Sequence, residues 1–140
     1  MLRGNLPTRP VKSVTETAHG ESCVLIVDDD EGVRDTLREV IEMIGCSAAT
    51  ATNGAEALDI LAVRLPCLII LDLLMPVMSG EEMIDAMRKE PSYARLPVLI
   101  STSAPGQAPP GLPVLAKPID IEKLWSWMRR SCTCLTAPRT

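Results

Sequence analysis

Acidic residues stand where two short apolar runs end. Asp28 and Asp29 follow Cys23-Val24-Leu25-Ile26-Val27, and Asp72 follows Cys67-Leu68-Ile69-Ile70-Leu71. Thr102 closes a third run, Val98-Leu99-Ile100-Ser101, and Lys117, followed by Pro118, closes a fourth, Val114-Leu115-Ala116. Carboxylates confined to a small volume repel one another, which raises a pKa or calls for a cation. Mg²⁺ suits such a site because it accepts a few carboxylate and carbonyl oxygens, keeps waters and leaves room for a phosphoryl oxygen. A carboxylate held in line beside it can attack phosphorus and become an aspartyl phosphate. Asp72, at the end of a buried run and the start of a turn, is the expected nucleophile. Lys117 supplies a flexible point charge and Thr102 a hydroxyl for the remaining phosphoryl oxygens. Strand-end Asp residues also cap helices, and Lys-Pro also opens turns. Capping alone does not explain such residues at so many strand ends.

The elements that must position these groups follow from the pattern. Apolar runs at 23–27, 46–50, 67–71, 98–101 and 114–116 alternate with amphipathic stretches, as in βαβ units with a parallel sheet. In a doubly wound sheet the functional crevice lies outside the carboxyl ends of the strands, where these residues fall. Val33, Leu37, Val40, Ile41 and Ile44 recur at helical spacing, with Gly45 as a stop. Asn53-Gly54 opens a second helix through Leu58, Leu61 and Leu65 up to Pro66, and Ser79 caps a third carrying Met83, Ile84 and Met87. A last helix from about Asp120 is expected to bury Ile121, Leu124, Trp125 and Met128, leaving Trp127 on the opposite face. Between the fourth and fifth strands, Pro105, Pro109, Pro110 and Pro113 with Gly106 and Gly111 leave no room for a helix longer than one turn. The fourth crossover helix is therefore absent or vestigial.

With 140 residues the chain is expected to form one domain, residues 22–131, between a flexible arm (1–21) and a tail (132–140). Aromatic residues make up 2% and Phe is absent, so the core is built from Val, Leu, Ile, Met and Ala. A net charge of −4 with scattered basic residues argues against direct nucleic-acid binding. No stretch has the length of a membrane span or the apolar core of a signal peptide, so a soluble cytoplasmic protein is expected. The five cysteines are odd in number and three lie at strand-like positions, which reads as a reducing compartment. Cys132 and Cys134 without a nearby His form an incomplete zinc site. Walker, dinucleotide and Ser-His-Asp patterns are absent.

From Cys23 to Arg130 the chain resembles the receiver domain of bacterial two-component response regulators. The resemblance rests on Val27-Asp28-Asp29 with Arg34, on Asn53-Gly54-Ala55-Glu56-Ala57-Leu58, on the run from Leu71 to Gly80, and on Lys117-Pro118. It implies a flavodoxin-like sheet of strand order 2-1-3-4-5 and a phosphoryl group taken by Asp72 from a phosphohistidine on a histidine kinase or histidine phosphotransfer protein. It also implies Mg²⁺ held by Asp28 (mainly through water), Asp29, Asp72 and the backbone carbonyl of Leu74, phosphoryl contacts from Thr102 and Lys117, and a cis Lys117–Pro118 bond. Such a domain is not an enzyme beyond its own phosphorylation and dephosphorylation.

Two departures from the family bear on switching. Val114 stands where the family carries an aromatic residue that moves with the Thr, and the proline-rich segment replaces a helix of the usual output face. A third bears on lifetime: Leu74 and Ala104 are apolar where the family tunes water access, which implies slow autodephosphorylation. Because only residues 131–140 follow the last helix, output is expected through a downstream protein partner or onward through another histidine in a relay. A non-switching interaction module is the alternative. A Mg²⁺-dependent phosphohydrolase fits least, since Leu74 cannot be a general acid.

Overall fold

The computed structural model describes residues 24–132. The strands are β1 (Val24–Val27), β2 (Ala48–Ala51), β3 (Leu68–Leu71), β4 (Val98–Thr102) and β5 (Val114–Ala116). The helices are α1 (Glu31–Ile44), α2 (Gly54–Leu61), α3 (Gly80–Arg88) and α4 (Ile121–Ser131). The strands form one parallel sheet in the order β2-β1-β3-β4-β5. This is the expected doubly wound, flavodoxin-like arrangement.

Side chains alternate across the sheet, so each strand feeds two apolar layers. Leu25, Val27, Ile69, Leu71, Val98 and Ile100 pack with Ala57 and Leu61 of α2 and Met83, Ile84 and Met87 of α3. Val24, Ile26, Leu68, Ile70, Leu99 and Leu115 pack with Leu37 and Ile41 of α1 and Leu124 and Met128 of α4. Strands buried on both faces must be apolar throughout, which is why β1 and β3 read as unbroken Val, Leu and Ile. Burying each such side chain contributes roughly 1.5–3 kcal/mol, so the sheet is held most firmly at the two strands that end in Asp28 and Asp72.

The helix ends follow their local chemistry. Asp30 caps α1 by accepting from the Val33 N–H, and Gly45, at φ 114°, closes it with N–H bonds from Gly45 to the Glu42 carbonyl and from Cys46 to the Ile41 carbonyl. At α3, Ser79 and Glu82 form a reciprocal capping box.

Several expectations need correction. β2 starts at Ala48, because Cys46 is engaged in closing α1. Cys46 is also disulfide-bonded, which corrects at that residue the reading of a reduced thiol in an apolar strand. α2 ends at Leu61, a turn early, and Leu65 is exposed. On α4 the buried stripe is Leu124 and Met128 flanked by Trp127, which packs on the core, whereas Ile121 and Trp125 are exposed. The sequence allows either flank, and it is Trp127 that packs on the layer containing Leu99, Leu124 and Met128. As expected, no crossover helix joins β4 and β5. The connection holds a single 3₁₀ turn, Pro105–Gln107, and Ala108 and Leu112 cover the core from it. The expected arm, with His19, and the tail beyond Cys132, with Cys134, lie outside the described residues.

Candidate functional site

β1 and β3 are adjacent and in register, Val27 opposite Leu71, so Asp28 and Asp72 leave the sheet side by side. The Asp72 N–H donates to the Val27 carbonyl at 2.9 Å, which fixes the two strand ends together. Side-chain oxygens of Asp28, Asp29 and Asp72 all lie within 4.8 Å of one another. Asp28 and Asp72 are buried and Asp29 is exposed, so the cluster has a dry floor and an open mouth.

The two buried carboxylates are held differently. Asp28 accepts from the Asp30 N–H through Oδ1 at 2.9 Å and from the Lys117 ammonium through Oδ2 at 2.8 Å. Asp72 has only a 3.5 Å contact from the Leu74 N–H to Oδ1, and its Oδ2 stands 3.8 Å from Lys117 Nζ. Burial and then the Asp28 charge push the Asp72 carboxyl above the usual carboxylate range, more than Lys117 and the Leu74 N–H lower it. Burial pulls the Lys117 ammonium toward its neutral form. The hydrogen bond and charge of Asp28, then the charges of Asp72 and Asp29, outweigh burial and hold its pKa above that of an ordinary lysine.

Lys117 reaches this position because β5 pairs with β4 and the Lys117 N–H donates to the Thr102 carbonyl at 2.8 Å. The Lys117–Pro118 bond is cis, as the resemblance implies. Thr102 is fully buried at the end of β4, and its Oγ1 accepts from the Ala104 N–H at 3.0 Å. Its hydroxyl proton is not used in that bond. Asp28, Asp29, Asp72 and Lys117 thus converge, and Thr102 lies at the neighbouring strand end.

Three supports were not foreseen in these roles. Arg34, on α1, donates to the Asp28 carbonyl at 2.7 Å, and its position six residues after Asp28 was the available signal. The Gly54 N–H donates to the Met78 carbonyl at 3.0 Å, tying α2 to the loop after Asp72. Gly80 packs so closely under Asp72 that a Cβ would lie 2.4 Å from the Asp72 carbonyl oxygen.

That loop contains a strained residue. Val77 is 82% exposed and sits at φ 70°, and the Met78 N–H donates across it to the Pro76 carbonyl at 2.7 Å. A β-branched residue is disfavoured there, and the cost of a left-handed conformation is roughly 1–2 kcal/mol. Val77→Gly relieves it at an unfolded-state entropy cost of roughly 0.5–1 kcal/mol. We expect a small net stabilisation, up to about 1 kcal/mol, measurable by urea unfolding; a lower midpoint would show that the loop relaxes around Val77.

All the candidate ligands are oxygens, which suits Mg²⁺, and the elevated Asp72 pKa is the electrostatic signature of a carboxylate that gains from a nearby cation. Among the described residues, no helix is long and apolar enough to cross a membrane.

A family model of the response regulator receiver domain matches residues 24–110. The response regulator MprA of Mycobacterium sp. (strain KMS) is 33% identical over 111 residues, covering 76% of this chain and 48% of that protein. An uncharacterized 14.6 kDa protein from Leptolyngbya boryana is 40% identical over 80 residues, 57% of this chain and 61% of that one. The chain thus spans about half the length of the response regulators it matches. Among solved structures, the chemotaxis protein CheY4 of Vibrio cholerae superposes with TM-score 0.69 at 30% identity, covering 79% of this chain and 98% of that one. The receiver domain of a signal transduction histidine kinase from Syntrophus aciditrophicus gives TM-score 0.70 at 28% identity, covering 85% and 94%. With the family model extending over more than half of the chain, including both acidic strand ends, this protein belongs to the response regulator receiver domain family.

Proposed function

We propose that the chain is a phosphoacceptor in a two-component phosphorelay, taking a phosphoryl group from the phosphohistidine of a histidine kinase or phosphotransfer protein onto Asp72. The observation that carries this is the contrast between the buried carboxylates. Both oxygens of Asp28 are engaged, whereas those of Asp72 have only long contacts, and burial and the Asp28 charge hold the Asp72 carboxyl above the usual carboxylate range. Asp72 is therefore the better nucleophile. An Asp72 oxygen attacks phosphorus as the bond to the donor imidazole breaks, its electron pair leaving on nitrogen. Asp28, Asp29, Asp72 and the Leu74 carbonyl would hold Mg²⁺, which when bound neutralises charge on the carboxylates and the phosphoryl oxygens. Lys117 turns from Asp28 toward the new phosphoryl group, and the Thr102 hydroxyl donates to it. The domain works in the cytoplasm, catalyses no reaction but its own phosphorylation and dephosphorylation, and signals through a conformational change to a protein partner.

The test is intact mass after incubation with Mg²⁺ and acetyl phosphate. Wild type should gain one phosphoryl group and Asp72→Asn none; an equal gain in both would remove Asp72 as acceptor. The non-switching module is the second reading, favoured by the reduction of the β4–β5 crossover to one 3₁₀ turn and by Val114 on the edge strand. It predicts no gain in a folded protein that binds Mg²⁺.

Leu74 is 60% exposed beside Asp72 and cannot orient a water. Leu74→Asn should therefore shorten the phosphoryl lifetime several-fold, followed by phosphate release after removal of the donor. Unchanged or longer decay would mean that access, rather than water orientation, sets the lifetime.

Asp72 also makes stability depend on pH. Its folded pKa lies above the unfolded value of 3.8, so the native state binds more protons and loses stability as pH rises through the folded pKa. In metal-free buffer, Asp72→Asn should melt at higher temperature than wild type at pH 7, the difference vanishing below the unfolded pKa. Added Mg²⁺ should raise the wild-type Tm more than that of the variant. A variant less stable than wild type at pH 7 would contradict the repulsion that this argument requires.

A further inference from the structure

A buried hydroxyl stands unpaired beside the acidic site. Ser101, the residue before Thr102 on β4, is 1% exposed, and among the described residues its Oγ has no hydrogen-bond partner. A buried hydroxyl without a partner costs free energy, and native structures carry few of them. Its neighbours follow from the strand register. Ser101 pairs with Leu115 of β5, and the pairing of Leu71 with Ile100 sets it level with Asp72, just beyond the end of β3. Side chains alternate along a strand. Leu99 and Leu115 belong to the layer between the sheet and α1 and α4, so Ser101 points to that face, as does Asp72, two residues beyond Ile70.

The side chain of Lys117 runs past this hydroxyl. The Lys117 N–H donates to the Thr102 carbonyl at 2.8 Å, so β5 stays paired with β4 up to Lys117, whose side chain leaves on the face of Leu115. On this side of the sheet the strands stand in the order β1-β3-β4-β5. The ammonium lies 2.8 Å from Asp28 and 3.8 Å from Asp72, at the ends of β1 and β3. To reach them from β5 it crosses the end of β4 on the face where Ser101 lies. Moving the ammonium from Asp28 to Asp72 draws it back by one strand, toward Ser101. We propose that the Ser101 hydroxyl is a positioning group for Lys117: Oγ accepts from Nζ as the ammonium leaves Asp28, and holds it against the phosphoryl oxygens on Asp72.

The inference rests on the reading of Asp72 as phosphoacceptor and adds a residue to that reaction. A lysine ammonium has three N–H donors, so one bond to Ser101 leaves two for phosphoryl oxygens. With Lys117 on Asp28 the hydroxyl is buried and unpaired; with Lys117 on the phosphoryl group it is paired. One side chain thus lowers stability before transfer and favours the phosphorylated form after it. Alanine removes both effects, and threonine keeps the hydroxyl.

The test is the rate of phosphorylation by acetyl phosphate at saturating Mg²⁺, followed by intact mass, together with urea unfolding. Ser101→Ala should phosphorylate about tenfold more slowly, the loss of one hydrogen bond to a charged group, while its unfolding midpoint equals or exceeds that of wild type. The loss should lie in the maximal rate rather than in the donor concentration at half-maximal rate. Ser101→Thr should recover most of the rate. In a Lys117→Met background, Ser101→Ala should slow the reaction no further; if that background does not fold, the Ala and Thr variants decide. A wild-type rate in Ser101→Ala, or a slow rate with a lowered midpoint that Ser101→Thr does not restore, would overturn the assignment of Ser101 and leave Asp72 as acceptor. No phosphorylation of wild type would remove the acceptor reading, and this proposal with it.

Discussion

Replacing Lys117 by Met should destabilise the metal-free protein by about 3 kcal/mol at pH 7, because it leaves the buried Asp28 carboxylate without its countercharge. The Lys117 and Asp28 side chains are 21% and 3% exposed, so solvent can replace little of the lost interaction. The loss also removes the only cation within 4.0 Å of Asp72 among the described residues, exposing Asp28 and Asp72 to each other's repulsion. Because the folded pKa of Lys117 is raised, this contribution is fully present below the ordinary lysine pKa and fades as pH rises through the folded value. Denaturant unfolding at pH 7 checks the loss, and millimolar Mg²⁺ should recover part of it. A variant as stable as wild type without Mg²⁺ would mean that Asp28 finds another partner and that the ion pair does not organise the site.

Gly80→Ala should be as damaging, at about 2–3 kcal/mol, for a steric reason. The added Cβ would meet the Asp72 carbonyl oxygen at 2.4 Å and the Leu73 Cα at 2.9 Å, both backbone atoms of the loop that carries the nucleophile. The Gly80 N–H also donates to the Leu73 carbonyl at 2.9 Å, so the backbone cannot part without losing that bond. Against this, Ala in a helix gains only about 1 kcal/mol over Gly. Gly54→Ala is the milder comparison, since its Cβ would meet side-chain atoms, Met78 Cγ at 2.8 Å and Met78 Sδ and Met83 Cβ at 3.0 Å, rather than backbone. The expected order of unfolding midpoints is wild type, then Gly54→Ala, then Gly80→Ala, with slower phosphorylation of the last because Asp72 is displaced. Equal midpoints for the two variants would mean that the loop after Asp72 yields more easily than its hydrogen bonds imply.

The contrast between these residues shows what the sequence made legible. The chemistry-bearing groups were visible because each ends an apolar run, and a run buried on both faces has no other pattern. The strand ends therefore mark Asp28, Asp72 and Lys117 in the sequence itself. Proline density likewise announced the missing crossover helix, since removed donors and ring clashes act locally. Gly80 and Arg34 were not legible as supports, because their importance comes from approach to a backbone that only the tertiary fold brings near. The same limit explains α4. Its periodicity allowed either flank of the Leu124–Met128 stripe to be buried, and only the tertiary packing against the sheet decides for Trp127. For α2, the apolar period continued to Leu65, but the helix stopped at Leu61 and left Leu65 exposed.

The central claim is that Asp72 is the phosphoacceptor, and trapping its acyl phosphate tests it most directly. After incubation with acetyl phosphate and Mg²⁺, borohydride reduction converts an aspartyl phosphate to homoserine, which peptide mass mapping can locate. The account predicts a single converted residue, Asp72, dependent on Mg²⁺ and lost in Asp72→Asn. Conversion at Asp28 or Asp29 in wild type, or none at Asp72 in a folded protein with Mg²⁺ bound, would contradict it.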